Sequence, residues 1–241
     1  MKTYALVGKS LSHSFSQQYF TEKFFKENIT NCEYINIEIE DISNIKDIIL
    51  ERNISGLNIT IPYKSVIIPF LDFVEENAKS IGAVNTIKVI NGKLHGFNTD
   101  IIGFKNSISP MLNGRKNALI LGDGGVSKSI QFVLKELNIN YKIVNRNTTL
   151  DYPDLNKEII ENSDIIINTT PLGSYPNIEY CPDIPYDFLK LKHLLFDVVY
   201  NPKQSQFLTF GLENNSSIIN GLEMLIIQAE ESWIIWNSDR I

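Results

Sequence analysis

The feature that most constrains this chain is a regular alternation of short apolar runs with amphipathic stretches, sustained almost from end to end. Tyr4–Val7, Tyr34–Ile39, Gly56–Thr60, Val84–Ile90, Ala118–Leu121, Tyr141–Val144, Asp164–Asn168 and Leu194–Val199 read as strands. Between them, Phe15–Asn28, Ile42–Arg52, Asp72–Ile81, Ile101–Leu112, Ser127–Leu137 and Gln204–Glu213 read as helices. Strands alternating with helices of about 10–15 residues predict βαβ units and parallel sheets. After Gly221, the residues Leu222, Leu225, Ile226, Ala229, Trp233 and Trp236 recur at three- and four-residue intervals, which makes one apolar face of a closing helix. There is no repeat and no low-complexity tract.

With 241 residues the chain can bury two modest cores. A boundary is expected near residues 99–115. There Asn98-Thr99-Asp100 precedes a helix, and Asn113-Gly114-Arg115-Lys116-Asn117 makes a polar break before the pattern restarts as strand, glycine-rich turn, helix, strand. That restart is how a nucleotide-binding domain begins.

Several classes of function are disfavoured. A net charge of −6 gives no electrostatic reason to bind nucleic acid or an anionic membrane, so any anionic ligand must be held by local groups. No stretch approaches the ~20 apolar residues of a membrane span, and the apolar run at the N-terminus is too short for a signal peptide, so a cytoplasmic location is expected. Cys32 and Cys181 carry no metal spacing and make no disulfide framework; plain thiols are expected, and no metal. A homodimer is an open expectation, because no exposed apolar patch can be located from sequence.

The run Asn117-Ala118-Leu119-Ile120-Leu121 leads into Gly122-Asp123-Gly124-Gly125-Val126-Ser127, close to the G-x-G-x-x-G/A fingerprint with small Ser127 in the third slot. Glycines there permit a tight turn and let the backbone approach a pyrophosphate resting on the next helix N-terminus. A plain strand-to-helix turn is the alternative. NAD binders place a carboxylate about 20 positions on, to hold the ribose 2′-hydroxyl. Here the second strand ends in Asn145-Arg146, 24 positions on (146 against 122), and an arginine can pair bidentately with a 2′-phosphate. NADP is therefore favoured over NAD, against the alternative of a solvated surface arginine. Asp123 would repel a pyrophosphate unless its carboxylate points away, which is the expectation.

In the first hundred residues polar clusters follow predicted strands. Ser12-His13-Ser14-Phe15-Ser16 follows Tyr4–Val7, and Ile61-Pro62-Tyr63-Lys64 follows Gly56–Thr60. Gly82-Ala83-Val84-Asn85-Thr86 and Gly96-Phe97-Asn98-Thr99-Asp100 come next. In open α/β sheets ligands sit outside the carboxyl ends of strands. Hydroxyls, amides, a lysine and an aspartate converging there suit a small polyhydroxylated acid.

Asn58-x-Thr60-x-Pro62-x-Lys64, Gly82-Ala83-Val84-Asn85-Thr86 and Asn98-Thr99-Asp100-x-x-Gly103 resemble signature segments of the shikimate dehydrogenase family. The likeness continues through the Gly122 turn, Asn145-Arg146 and Asn168-Thr169-Thr170-Pro171-Leu172-Gly173. It then takes in Asp197-Val198-Val199-Tyr200-x-Pro202 and Gly221-Leu222-x-Met224-Leu225-x-x-Gln228, in family order over nearly the whole chain.

The resemblance implies two α/β domains with a cleft between them: a substrate-binding, catalytic domain over 1–100 and a Rossmann-like NADP domain over 101–219. The helix within 220–241 would pack back on the first. It implies reduction of 3-dehydroshikimate to shikimate with NADP. Ser14 and Ser16 would take the substrate carboxylate; Thr60, Asn85, Tyr200 and Gln228 the hydroxyl-bearing ring; Lys64 and Asp100 would be the catalytic pair, Asp100 touching substrate as well. Gly122, Asp123, Gly124, Gly125, Val126, Asn145, Arg146, Val198 and Gly221 would line the cofactor site, with Glu76 a further candidate. Chemically, hydride arrival at a ketone leaves charge on its oxygen, which a lysine ammonium stabilises and protonates, while a nearby carboxylate holds that ammonium.

Bland alternatives stand beside these roles. Asp100 could cap the helix from Ile101, and Ser14 and Ser16 the helix from Phe15. Lys64 could be a surface lysine, and Tyr200 and Gln228 core-edge groups. His13, His95 and His193 are isolated and are assigned no role. Departures from the family pattern are Asn147 and Ser205 where threonine is common, and Ser174 in place of methionine. A quinate or dual-specificity dehydrogenase using NAD, and a ligand sensor without catalysis, are the competing readings.

Overall fold

The computed structural model describes residues 1–11, 14–146 and 150–238, and the chain divides into two compact units. The first comprises Met1–Thr99 with the chain from Ala229 onward; the second is Asp100–Gln228.

In the first unit the elements are β1 (Lys2–Gly8), α1 (Phe15–Lys26), β2 (Cys32–Glu38), α2 (Ile45–Glu51), β3 (Ile54–Ile59), β4 (Phe73–Val74), α3 (Glu76–Ile81), β5 (Thr86–Ile90) and β6 (Lys93–Phe97). The sheet runs in the order β2-β1-β3-β5-β6-β4. Strand alternation builds two cores from one strand. Ala5 and Val7 of β1 face a cluster with Ile45 and Ile49 of α2, while Tyr4 and Leu6 face Phe20 and Phe24 of α1 with Ala229 and Trp236 of the C-terminal helix. Trp236 stacks on Tyr4 at 4.7 Å, donates its Nε1–H to Ile87 O at 2.9 Å, and lies where a side chain on Gly56 would stand.

This sheet is mixed rather than parallel. β1 pairs in parallel with β2 and β3, but β5 is antiparallel to β3 and to β6. The expected helix Asp72–Ile81 begins only at Glu76, because Phe73 and Val74 are drawn into pairing with His95 and Gly96 and the Asp72 carboxylate accepts from Leu94 N–H. Tertiary pairing overrides helical spacing there, and Glu75 then caps the shortened helix through Ala78 N–H.

The second unit contains α4 (Asp100–Ile108), β7 (Asn117–Leu121), α5 (Gly125–Glu136), β8 (Asn140–Val144), α6 (Lys157–Glu161), β9 (Ile165–Asn168), β10 (Leu194–Asp197), α7 (Gln206–Glu213) and β11 (Ser217–Ile219). It also holds the start of α8 (Leu222–Asn237), inside which the unit boundary falls. Its five strands are all parallel, in the order β11-β10-β9-β7-β8. Parallel strands are covered on both faces and become continuous apolar runs, and Ile165–Ile167 are fully buried. Ala118 and Ile120 pack against Phe104, Ile130 and Val133 on one face; Leu119 and Leu121 against Ile160, Phe207 and Leu208 on the other. The helix expected to reach Leu112 ends at Ile108, giving way to a 3-10 turn that carries Pro110, where proline cannot donate to a helical ladder.

Of the expected apolar face of α8, Ala229, Trp233 and Trp236 pack into the core with Tyr4 and Phe20. The helix's buried residues are Met224, Gln228, Ala229, Ser232 and Trp236, so polar side chains share the inner face. Among the described residues no helix is long and apolar enough to cross a membrane.

Candidate functional site

In the first unit strand order switches about β1, with β2 on one side and β3 on the other, and the exits of β1 and β3 lie side by side. Thr60 N–H donates to Val7 O at 2.9 Å. A switch point of this kind leaves a crevice outside the carboxyl ends of its strands. Ser14 occupies the cap position of α1 but makes no side-chain cap bond, which removes the alternative of a plain helix cap. Ser14 Oγ and Asn36 Oδ1 are the two buried side-chain oxygens without a partner among the described residues. Both residues stand at Leu11, whose carbonyl accepts from Ser14 N–H at 3.0 Å and from Asn36 Nδ2 at 3.5 Å. Buried polar atoms are almost always paired, so two orphans against one residue are acceptor capacity the described chain leaves unused. Ser16 is buried in the first turn of α1. Ser12 and His13 lie outside the described residues.

Thr60 and Lys64 follow β3, both half-buried. Two backbone bonds tie this turn to the next signature segment: Ile59 N–H to Asn85 O at 2.8 Å and Val84 N–H to Lys64 O at 2.7 Å. The Asn85 amide is buried and engaged with Thr99, donating to Thr99 Oγ1 at 2.9 Å and accepting from Thr99 N–H at 2.7 Å. Behind it lies a polar network that sequence reasoning missed. Asn58 Nδ2 donates to Thr86 Oγ1 and Ser232 Oγ at 3.2 and 2.9 Å, and its Oδ1 accepts from Tyr34 OH at 2.8 Å. The structure thus brings Thr60, Lys64 and Asn85 together. Glu76, exposed on the first turn of α3, is joined to them by no described hydrogen bond. His95 stacks on Phe73 at 4.6 Å, and burial pulls its pKa down.

In the second unit Asp100 is the first residue of α4, not the residue before it, and is buried. Glycine at 103, one turn on, lets α8 come close: an added Cβ would lie 2.6 Å from Met224 O and 3.3 Å from Gln228 Cβ. Gln228 is thereby set beside α4, its Nε2 donating to Leu225 O at 2.9 Å.

The strand order places a second switch point between β7 and β9, since β8 lies on the far side of β7. The turn after β7 stands there. Gly122 has φ +100°, a conformation L side chains rarely adopt, and a Cβ on it would meet Thr169 Oγ1 at 2.8 Å. Ser127 Oγ closes the turn onto Gly122 O at 2.8 Å. Gly124 caps α5, and a Cβ there would meet nothing within 4 Å. Gly125 and Val126 open the helix with their N–H groups. An open backbone face at the N-terminus of a twelve-residue helix can accept an anion such as a pyrophosphate.

Asp123 is exposed, and its carboxylate accepts a hydrogen bond from Asn145 Nδ2 at the end of β8. Its partner is therefore a neighbouring side chain rather than the helix N-terminus. Arg146 follows, exposed, beside the segment 147–149 that lies outside the described residues. Val198 N–H donates to Asn168 O at 3.0 Å and Gly221 N–H to Val199 O at 3.1 Å, so the candidates Val198 and Gly221 meet at the same sheet edge. A side chain on Gly221 would drive into the Val198 carbonyl. Tyr200 is half-buried in the loop after β10.

Sequence reasoning gave no role to Asn168 or Asp197, although both stand in the quoted motifs. Both are fully buried, and Asn168 Nδ2 donates to Asp197 Oδ1 at 2.9 Å. Burial pushes the Asp197 carboxyl up to about 6 despite bonds from Ser205, Val199 and Asn168 that favour its charged form. A polar residue ending an apolar parallel strand was the available signal. His193 is wholly buried and bonded to backbone, and burial lowers its pKa.

A family model described as the shikimate dehydrogenase substrate binding domain matches residues 6–87. A protein named shikimate dehydrogenase (NADP(+)) from Methanococcus maripaludis strain C6 is 37% identical over 264 aligned positions, covering 99% of this chain and 92% of that protein. Shikimate dehydrogenase 1 of Peptoclostridium difficile, a crystal structure, superposes with a TM-score of 0.89 at 36% identity, covering 100% of this chain and 93% of that one. A shikimate 5-dehydrogenase of Thermus thermophilus solved with NADP(H) and shikimate gives 0.86 at 25% identity, covering 98% and 94%.

Proposed function

The chain belongs to the shikimate dehydrogenase family, and from that premise we propose that it catalyses the reversible, NADP-dependent reduction of 3-dehydroshikimate to shikimate. The observation that carries the proposal is the turn at the second switch point: a glycine at φ +100°, an open face at Gly124 leading into α5, and Asn145-Arg146 ending the next strand. That donor set suits a dinucleotide with a 2′-phosphate. The backbone from Gly122 through Asp123, Gly124, Gly125 and Val126 would hold the pyrophosphate, Asn145 and Arg146 the phosphorylated ribose, and Val198 and Gly221 the nicotinamide end. Glu76 is the remaining candidate contact.

The cofactor, when bound in reduced form, supplies a hydride to the ketone carbon. The carbonyl π electrons move to oxygen, and the Lys64 ammonium gives that oxygen its proton, leaving a neutral amine that takes a proton back from water or from shikimate in reverse. Asp100 would be the partner of Lys64 in the catalytic pair and accept from a ring hydroxyl. Ser14 and Ser16 would bind the substrate carboxylate, a role the unpartnered Ser14 Oγ supports. Thr60, Asn85, Tyr200 and Gln228 would take the ring hydroxyls. A cytoplasmic setting belongs to the same proposal, since two free cysteines with no pairing pattern suit a reducing compartment; a homodimer belongs to it as well, to be tested by light scattering.

The test is nicotinamide absorbance with purified protein and shikimate, NADP and NAD in parallel. Reduction of NADP in preference to NAD is expected, and Lys64→Ala or Asp100→Asn should lower kcat by about 10²–10⁴-fold. No reduction of either cofactor, or wild-type turnover in both variants, overturns the assignment.

A further inference from the structure

We infer that Asp197 is a positioning residue for the reaction: with Asn168 it forms a buried clamp that fixes the loops bearing Gly122, Val198, Tyr200 and Gly221 in one arrangement. The inference rests on the proposed function and concerns groups within the second unit alone. Asp197 and Asn168 end neighbouring strands and are paired in register. Both are fully buried. Asp197 Oδ1 accepts from Asn168 Nδ2 at 2.9 Å and from Val199 N–H at 3.0 Å, and its Oδ2 accepts from Ser205 Oγ at 2.5 Å.

From this pair, bonds run outward in two directions. Asn168 Oδ1 accepts from Thr170 N–H at 3.0 Å and Thr170 Oγ1 at 2.6 Å, and Asn168 Nδ2 also reaches Leu172 O at 3.3 Å. The neighbouring Thr169 holds Leu121 O from both its N–H and its Oγ1, at 2.9 and 2.7 Å, immediately before Gly122. On the other side, the Val199 amide held by Asp197 belongs to the residue whose carbonyl takes Gly221 N–H at 3.1 Å. Ser205, the third donor, also caps α7 through Leu208 N–H at 3.4 Å.

Packing alone does not account for a carboxylate here. Burial of this group is unfavourable, and an apolar residue of similar size would fill the space at less cost. What the carboxylate supplies is acceptor capacity: donors from the neighbouring strand, from Val199 and from the start of α7 converge on its two oxygens, and an amide offers one accepting oxygen for them. The clamp therefore defines where loops go, and its removal should be felt more in ligand binding than in folding.

Asp197→Asn, Ser205→Ala and Ser205→Thr test this beside the wild type, with steady-state kinetics and thermal unfolding on each. Asp197→Asn should raise KM for NADP about tenfold, the factor that losing one bond to a charged acceptor commonly brings, with kcat changed less than about threefold. Ser205→Ala should move KM the same way by a smaller factor, and Ser205→Thr should restore the wild-type value. If Asp197→Asn fails to fold, the Ser205 pair decides. Wild-type KM in Asp197→Asn, or a lowered melting temperature with unchanged KM, overturns the clamp, as does failure of threonine to rescue. Absence of NADP reduction in the wild type strikes the proposed function instead, and so is distinguishable.

Discussion

Two glycines in one turn should respond oppositely to the same added methyl group. Gly122→Ala forces an L residue to φ +100°, which costs about 1–3 kcal/mol. The new Cβ would also stand 2.8 Å from Thr169 Oγ1 and 3.1 Å from Thr170 Cγ2. Thr169 cannot yield freely, because the same oxygen donates to Leu121 O at 2.7 Å, a bond worth about 1 kcal/mol. Lower entropy of the unfolded chain returns about 0.4–1 kcal/mol. The net loss should be about 2–3 kcal/mol, a fall of roughly 4–12 °C in the melting temperature for a chain of this size.

Gly124→Ala meets none of these obstacles. Its φ of −68° and ψ of −174° are ordinary, and nothing lies within 4 Å of the added atom. Its stability should stay within about 0.5 kcal/mol of wild type, since the weaker cap and the stiffer unfolded chain roughly offset. Yet that open space is where a pyrophosphate would approach α5, so KM for NADP should rise about tenfold or more. Urea and thermal unfolding give the first quantity, and cofactor titration at saturating shikimate gives the second. A Gly122→Ala protein as stable as wild type would refute the strain reasoning. A folded Gly124→Ala with wild-type KM would refute the cradle.

Three further outcomes are expected. Asp123→Ala removes a carboxylate from beside Asn145, so under the proposed function KM for NADP should fall severalfold with little change for NAD; a rise would show that the bond to Asn145 organises the ribose site instead. Trp236→Ala removes the stack on Tyr4, the bond to Ile87 O and the cover over Gly56, and should cost about 3–5 kcal/mol in urea unfolding; under 1 kcal/mol would refute its place in the core. Asp197 gives stability a pH dependence of definite sign. Its folded pKa, raised by burial from 3.8 to about 6, means that the folded state keeps a proton the unfolded chain releases. That contribution is whole below about pH 4 and is lost as pH rises through about 6, about 3 kcal/mol in all. Asp197→Asn should flatten the urea midpoint across this window, and an unchanged slope would refute the assignment.

What the sequence disclosed and what it withheld divide along physical lines. Leu119–Leu121 and Ile165–Ile167 were legible because a parallel strand buried on both faces must be an apolar run. The Gly122 turn and Asn145-Arg146 were legible because their geometry is local. β6, Lys93-Leu94-His95-Gly96-Phe97, and the two-residue β4 were not, because their strand character comes from pairing with each other and with β5. Strand direction is invisible to composition, so the antiparallel β5 and β6 went unforeseen. The three-residue β11 and five-residue α6 are too short to show a period. Within the site, Asn58 pairs with Ser232 across 174 positions and Asn168 with Asp197 across 29, which no spacing reveals. On α8, a count of apolar residues alone misses that Gln228 and Ser232 lie on the buried face.

An acidic chain proposed to bind two anions, a dinucleotide phosphate and a ring carboxylate, poses an apparent contradiction, and distance resolves it. A net charge of −6 is spread over a surface whose charges are screened beyond about 8 Å at physiological salt, so it bears on encounter more than on contact. Contact is decided by what stands within hydrogen-bond reach. At the second switch point that is the positive end of α5, about half an elementary charge, joined under the proposed function by Arg146, while Asp123 is occupied by Asn145. At the first it is Lys64 together with hydroxyls, including a Ser14 Oγ with no partner to give up among the described residues. A buried hydroxyl that holds no other bond gains one when a carboxylate arrives without first losing one, so such a site inside an acidic protein can still favour an anion.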